Sequence, residues 1–158
     1  MTSIVVSILA ALALQPTSKI SKPEAVAFAI VAHVCACLHD VPPVEAIANA
    51  YVESRFDNAA EAGHGRGRFQ VLCGPGRRWC SPLVWAFKLD VRGPILNAYE
   101  GARRMGAFLH DWRPAVRARY LCHYNAGSRC DADGRRHERR VKAVLARLAD
   151  RLPDSRAF

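Results

Sequence analysis

Apolar positions run through the chain in blocks separated by short polar breaks, and most of the blocks have a helical period. Ile4 to Leu14 is apolar throughout except for Ser7. Ser21-Lys22-Pro23-Glu24 has the form of a capping box with proline in the first turn, and the apolar run behind it to His39 predicts a buried helix. Pro42 and Pro43 end that segment and begin another, with Glu45 in a first turn where the helix dipole favours an acid. Val44, Ile47, Ala48, Tyr51 and Arg55 follow at i, i+3, i+4, i+7 and i+11, the face of an amphipathic helix with Arg55 past its end. Glu53 is out of phase with that face. It shares a side with Ala46, Asn49 and Ala50, where the side chains are small.

From Asp57 to Gly76 the chain is rich in Gly, Ala and Arg without a sustained period, which predicts an ordered loop or a small hairpin after the helix that carries Glu53. A short helix is expected over Ser81 to Leu89. Gly93-Pro94 opens another that runs through Asn97, Gly101 and Met105 towards His110. Asp111 and Pro114 begin a third, with Val116, Tyr120 and Tyr124 on its apolar face, and it stops at Asn125-Ala126-Gly127 because Gly tolerates a left-handed C-terminal position. The last helix is expected over about Arg136 to Leu152, with Val141, Val144, Leu145 and Leu148 in phase and arginines opposite. The polar stretch Asp131 to Arg140 is a candidate for loose order. No segment is strand-rich and no repeat is visible. The expectation is a mainly α single domain of about six to seven helices over residues 21–152, with residues 1–18 set apart and 153–158 a tail.

The length of 158 residues fits one domain with a real core, and a hydrophobic fraction of 51% argues against disorder. A net charge of +9 favours an acidic partner: nucleic acid, an anionic membrane surface or a cell-wall polymer. Charge alone does not choose among them. Residues 1–18 carry no charged side chain, and the run Ile4 to Leu14 is too short to span a bilayer at about 1.5 Å per residue. It suits the apolar region of a signal peptide, with Ala11-Leu12-Ala13 as a cleavage site, although no Lys or Arg precedes it. A buried N-terminal helix or an uncleaved anchor is the alternative. Six cysteines, Cys35, Cys37, Cys73, Cys80, Cys122 and Cys130, support an oxidising compartment, so a periplasmic or secreted location is expected. Local pairs such as Cys73 with Cys80 and Cys122 with Cys130 would each close a short loop, but connectivity is not readable from spacing. The HVCAC stretch, His33 to Cys37, lacks the two-residue gap usual for zinc knuckles, so no metal is expected.

Three segments carry candidate chemistry: AYVESRFDNAA, GHGRGRFQV and YLCHYNAGS. The stretch Gly63 to Arg68 follows a helix and lacks the Gly-Lys-Ser/Thr ending of a phosphate-cradling loop. As an arginine-glycine nucleic-acid segment it is a single copy without an aromatic platform. Ser54 has no recognisable His and Asp partners for a nucleophile. Glu53 is the residue of interest, because a carboxyl in a partly apolar cleft has a raised pKa and can donate and accept a proton near neutrality.

Taken in order, four motifs stand in this chain: Glu53-Ser54-Arg55-Phe56; Gly67-Arg68-Phe69-Gln70-Val71; Asn97, Gly101 and Met105 within NAYEGARRM; and Tyr124-Asn125-Ala126-Gly127. Together they resemble the catalytic domain of the soluble lytic transglycosylases, in the lysozyme-like superfamily that also holds the goose-type lysozymes. The resemblance spans roughly Val44 to Gly127, with a helix after it as the family would have. His64 and Gly65 replace the family's earlier glycine and usual alanine, Arg68 stands where an apolar residue is common, and His123 replaces the alanine before the tyrosine.

The resemblance implies a lysozyme-like fold and cleavage of the MurNAc-β-1,4-GlcNAc bond of peptidoglycan glycan strands without a cofactor. Glu53 would be the single general acid and base, protonating the glycosidic oxygen and then taking the proton of the sugar's own 6-hydroxyl to leave a 1,6-anhydro ring. Tyr124 would orient Glu53, and Ser54 would cap the helix or steady the loop. Gln70 and Asn125 would hold sugar groups or loop backbone, and Phe69 would line the substrate side or pack. Gly67, Asn97, Gly101 and Gly127 would set the backbone. A hydrolytic glycosidase usually needs a second carboxylate about 5 to 9.5 Å away. Asp57, Glu61 and Glu100 are the nearby options, none at a nucleophile's motif position, which favours transglycosylation over a hydrolytic muramidase. A monomer is expected, with peripheral association with the cell envelope as a further expectation. The alternative of another class is a basic nucleic-acid-binding protein using GRGR and GRRHERR on phosphates. That reading leaves the ordered motifs and the cysteines unexplained, so no nucleic-acid partner is expected.

Overall fold

The computed structural model describes residues 3–62, 65–72, 81, 84, 89–127 and 129–152. Seven α-helices and three two-residue strands account for most of them, so the chain is mainly α. Helix α1, Ile4–Leu14, is capped by Ser3, whose hydroxyl accepts from Val5 N. It packs Ser7, Ala10, Ala11 and Leu14 into the same core as the following helices. No helix among the described residues is long and apolar enough to cross a membrane. Helix α2, Lys22–Leu38, starts at the predicted capping box, where Glu24 Oε2 accepts from Ser21 N at 2.8 Å. Its buried side is Ala25, Phe28, Ala29, Ala32, Cys35 and Ala36, but the opposite edge leaves Ile30, Val34 and Leu38 exposed, so the predicted buried helix is buried on one face only.

Helix α3, Pro43–Ser54, is the centre of the molecule. The apolar face Val44, Ile47 and Ala48 is buried as its period requires, but so are Ala46, Asn49, Ala50 and Val52 on the other side. The difference from a simple amphipathic helix has a steric cause. Ala46 and Ala50 have side chains small enough for another helix to lie close against them, and a helix surrounded on all sides is buried all round. On the side of Asn49 and Glu53 the neighbour is α7, Ala132–Arg151, whose His137 meets both.

After α3 the chain forms a small antiparallel sheet in the order β1-β2-β3, Glu61–Ala62, Gly65–Arg66 and Val71–Leu72. Glu61 is opposite Arg66, and Arg66 is opposite Val71. The expected hairpin is therefore present, with a third strand added. Helix α4, Pro94–Leu109, follows Gly93-Pro94 as predicted and buries Asn97, Gly101, Arg104 and Met105 on one face. Most of the short helix expected over residues 81–89 lies outside the described residues.

Two expectations need correction. The third predicted helix is two helices, α5, Pro114–Arg117, and α6, Tyr120–Ala126. Arg119 leaves helical geometry at φ −128° and ψ 33°, and its guanidinium reaches Glu138 of α7 at 2.6 Å. The stretch from Asp131 to Arg140 is helical from Ala132 onward rather than loosely ordered, because the Asp131 carboxylate caps the helix by accepting from Gly134 N at 2.9 Å. A disulfide, Cys122–Cys130, ties α6 to the start of α7. Cys35 and Cys37 are free thiols, and the pair Cys73 and Cys80 lies outside the described residues.

Candidate active site

The end of α3 is set by two consecutive left-handed residues, Arg55 at φ 55° and Phe56 at φ 64°. Such a conformation is unfavourable for residues with a Cβ and persists only where the surroundings compensate. Here the turn drives Phe56 into the core, where its ring lies 4.9 Å from Phe28 and 5.5 Å from Tyr51. The buried Arg68 Nε donates to the Phe56 carbonyl at 2.9 Å. Glu53 is left in the last turn of α3, facing α7 and α6, with 12% of its side chain exposed.

Around that carboxyl the structure gathers six other side chains, Asn49, Arg104, Tyr124, Asn125, His137 and Arg140. His137 of α7 places Nε2 3.7 Å from Glu53 Oε1, and the same nitrogen lies 2.8 Å from Asn49 Oδ1. Since Asn49 Oδ1 can only accept, Nε2 carries the imidazole proton. The imidazole stacks on the Tyr124 ring at 6.3 Å, and the buried Arg104 guanidinium lies over that ring at 4.9 Å. Burial is the main cause of a Glu53 pKa raised from 4.5 to about 7, opposed by the Arg104 charge, the Asn125 amide beside it and the Arg140 charge. His137 moves the other way, to about 4, through burial and then the charges of Arg140 and Arg104. Near neutral pH the imidazole is therefore uncharged and does not hold Glu53 as an ion pair. The Tyr124 phenol is pushed up by burial and by Glu53's negative charge, so it stays protonated.

The remaining predicted residues build the wall that holds this group. Tyr124 does not give its proton to Glu53: its hydroxyl donates to the Phe69 carbonyl at 2.6 Å. Phe69 N in turn donates to Asn97 Oδ1 at 2.8 Å, and Asn97 Nδ2 donates to the carbonyls of Arg66 and Val91, each at 2.8 Å. Every hydrogen-bonding atom of that buried amide is thus used on loop backbone. Gly67 has φ +70° and lies so close to Asn97 that an added Cβ would sit 2.5 Å from its Nδ2. At Gly101 an added Cβ would overlap the Phe69 ring. Gln70 adopts φ 46° and donates Nε2 to the carbonyls of Ala60 and Gly67 at 2.9 and 2.8 Å, so its amide holds the loop. Ser54 Oγ lies 2.9 Å from the Arg68 carbonyl and 3.2 Å from that of Ala50, joining the end of α3 to the same loop. Asn125 is exposed, and Gly127 ends α6 at φ 73°, its N–H donating to the His123 carbonyl.

Glu53, Tyr124 and Asn125 are therefore brought together, whereas Ser54, Gly67, Phe69, Gln70, Asn97 and Gly101 act as scaffold around them. Four participants were not anticipated: Asn49, Arg104, His137 and Arg140. The signal for two of them is helical phase. His137, Val141, Val144 and Leu148 recur at i, i+4, i+7 and i+11, as do Asn97, Gly101, Arg104 and Phe108, so each polar residue sits in line with inward-facing positions. The three other acids considered are held in ion pairs: Asp57 with Lys19, Glu61 with Arg66 and Arg92, and Glu100 with Arg103. Among the described residues the cluster Cys122, Cys130 and Glu138 brings ligand-type atoms together, but the disulfide occupies both sulfurs.

The arrangement can cycle one proton. A neutral Glu53 carboxyl can give its proton at about pH 7, and the resulting carboxylate is stabilised by Arg104, Asn125 and Arg140 until it takes a proton back. No protein-family model, no curated protein and no solved structure matches the chain.

Proposed function

We propose that the protein is a peptidoglycan lytic transglycosylase with a lysozyme-like domain, cleaving MurNAc-β-1,4-GlcNAc bonds with Glu53 as its single general acid and base. The observation that carries this reading is a buried carboxyl with a pKa of about 7 at the end of the central helix, with the other acids of the motif region engaged by basic side chains. Glu53 protonates the glycosidic oxygen as the bond to the leaving sugar breaks. The carboxylate then removes the proton of the 6-hydroxyl, whose oxygen closes onto the anomeric carbon. Proton donation of this kind contributes about 10²- to 10⁴-fold in rate. Tyr124 acts through Phe69, fixing the loop rather than Glu53 itself, and Asn125 offers an exposed amide at the rim. The order Glu53-Ser54-Arg55-Phe56, Gly67 to Val71, Asn97 to Met105 and Tyr124 to Gly127 supports the same class by resemblance.

The test is digestion of purified peptidoglycan by the wild type and Glu53→Gln, with the products identified by mass spectrometry. Anhydromuramyl ends from the wild type and their loss in Glu53→Gln are expected. Reducing muramic ends would replace this reading with a hydrolytic muramidase, and equal activity of the variant would overturn both.

A further inference from the structure

Between α3 and α7 lies a depression of about 220 Å³. It is lined by Tyr51, Val52, Ala143 and Val144 together with three arginines, Arg55, Arg140 and Arg147. Like charges gathered in one small concavity raise the local positive potential and favour a bound anion. Arg55 and Arg147 form no ion pair among the described residues, and Arg140 donates to the Val52 carbonyl at 3.2 Å. The pocket is also preorganised. The left-handed backbone of Arg55 sets where its side chain leaves the end of α3, Tyr51 is held by a 2.7 Å hydrogen bond between its hydroxyl and that of Thr17, and Arg140 and Arg147 stand two turns apart on a single helix face.

We propose that this depression is an oxyanion-binding subsite for the glycan polymer, in which Arg55, Arg140 and Arg147 grip one carboxylate or phosphate carried by the strand. Guanidinium groups are suited to this because their planar donor forks match both oxyanions. The volume admits a single such group with the carbon that bears it. The choice of a wall polymer as the carrier rests on the reading of Glu53 given above. Arg140 links the two places physically: it lines the depression, bonds to the residue before Glu53 and acts electrostatically on the Glu53 carboxylate. An anion bound there would anchor the strand beside the reacting bond and at the same time partly neutralise a charge that favours ionised Glu53.

The experiment measures binding rather than turnover, using full-length Glu53→Gln so that ligands are not consumed. The probes are a disaccharide tetrapeptide with free carboxylates, the same compound with its carboxylates amidated, poly(glycerol phosphate) and a single-stranded oligonucleotide, each titrated by calorimetry. Arg147→Ala, exposed on α7, and the double variant Arg55→Ala/Arg147→Ala are compared in the same background, with melting curves confirming that they fold. Loss of one charge-assisted contact is expected to weaken the preferred anionic probe by about three- to tenfold, and loss of two by more. A loss seen for the free but not the amidated tetrapeptide identifies a carboxylate, and a loss confined to poly(glycerol phosphate) identifies a phosphate. Unchanged binding of both the free tetrapeptide and poly(glycerol phosphate) in the double variant overturns the proposal, as does a preference for the oligonucleotide that these arginines carry. Since the protein is already Glu53→Gln, failure here is distinct from failure of the proposed chemistry.

Discussion

Replacing Glu53 by Gln should change the pH dependence of stability in a way that no surface glutamate could. Burial raises the Glu53 pKa from 4.5 to about 7 in the folded protein, so between those values the native state holds a proton that the unfolded chain has released. Its contribution to stability is complete below about pH 4.5 and is lost as the pH rises through 7, a loss of about 3 kcal/mol for a shift of this size. His137 has the opposite sign. Burial lowers its pKa from 6.5 to about 4, so its contribution is complete above pH 6.5 and is lost as the pH falls through 4, again by about 3 kcal/mol. In the wild type the two slopes largely cancel between pH 4.5 and 6.5. In Glu53→Gln the cancellation is removed, and only the His137 slope remains. The variant should therefore gain on the wild type by up to about 3 kcal/mol between pH 4.5 and 8. Urea unfolding followed by circular dichroism at constant ionic strength measures this difference, and other carboxylates drop out because they are common to both proteins. His137→Gln is the companion, and it should lose stability towards high pH. A Glu53→Gln difference that stays constant within about 0.5 kcal/mol from pH 4.5 to 8 would refute the idea that Glu53 is buried and proton-retaining.

Two further outcomes test the scaffold. Gly101→Ala would push a methyl into the Phe69 ring, so a loss of about 1–3 kcal/mol is expected, visible as a melting temperature lower by several degrees. Because Phe69 carries the Tyr124 contact, the glycan cleavage proposed above should fall with it, and an unshifted melt would mean that Phe69 is not held there. The double variant Cys122→Ser/Cys130→Ser opens a link between residues 8 apart in sequence, which loop entropy values at about 2–3 kcal/mol. Calorimetry with and without reductant on the wild type should reproduce that difference, and identical melts would show that the link contributes nothing.

Much of this architecture could be read from the chain because it depends on local signals. The capping box at Ser21, the prolines at the starts of α3 and α4 and the stop at Gly127 act within a turn of their own positions, so the order of these helices follows from them. The site was legible only where the motif residues also point at it. Glu53 could be found, and so could its position beside small side chains, but not that α7 lies against α3 and delivers His137 to Asn49. That contact joins residues 88 apart, and no local pattern encodes it. The partner of Tyr124 was missed for a related reason. A buried phenol needs an acceptor, and sequence cannot say whether a carboxylate or a backbone carbonyl comes nearer; here it is the Phe69 carbonyl. The break at Arg119 likewise comes from its tertiary bond to Glu138, in a stretch whose apolar period runs on unbroken.

A general acid that must also serve as base is best placed with a pKa near the working pH, since a stronger acid is a poor base and a weaker one gives up its proton reluctantly. Burial alone would overshoot. The low-dielectric surroundings that raise the Glu53 pKa also disfavour the carboxylate left after proton transfer. Arg104 stabilises that carboxylate from inside the wall: the arginine is 5% exposed and its charge is the largest influence opposing burial at Glu53. A buried guanidinium is itself unfavourable, and here the face of Tyr124 and the charge on Glu53 offset part of that penalty. His137 completes the balance by staying neutral. A charged imidazole 3.7 Å away would favour the ionised carboxylate and lower its pKa, whereas a neutral one fixed on Asn49 fills the same space without doing so. The polar residues around Glu53 therefore act as a set, and the pKa of about 7 depends on one of them being charged and another being kept uncharged.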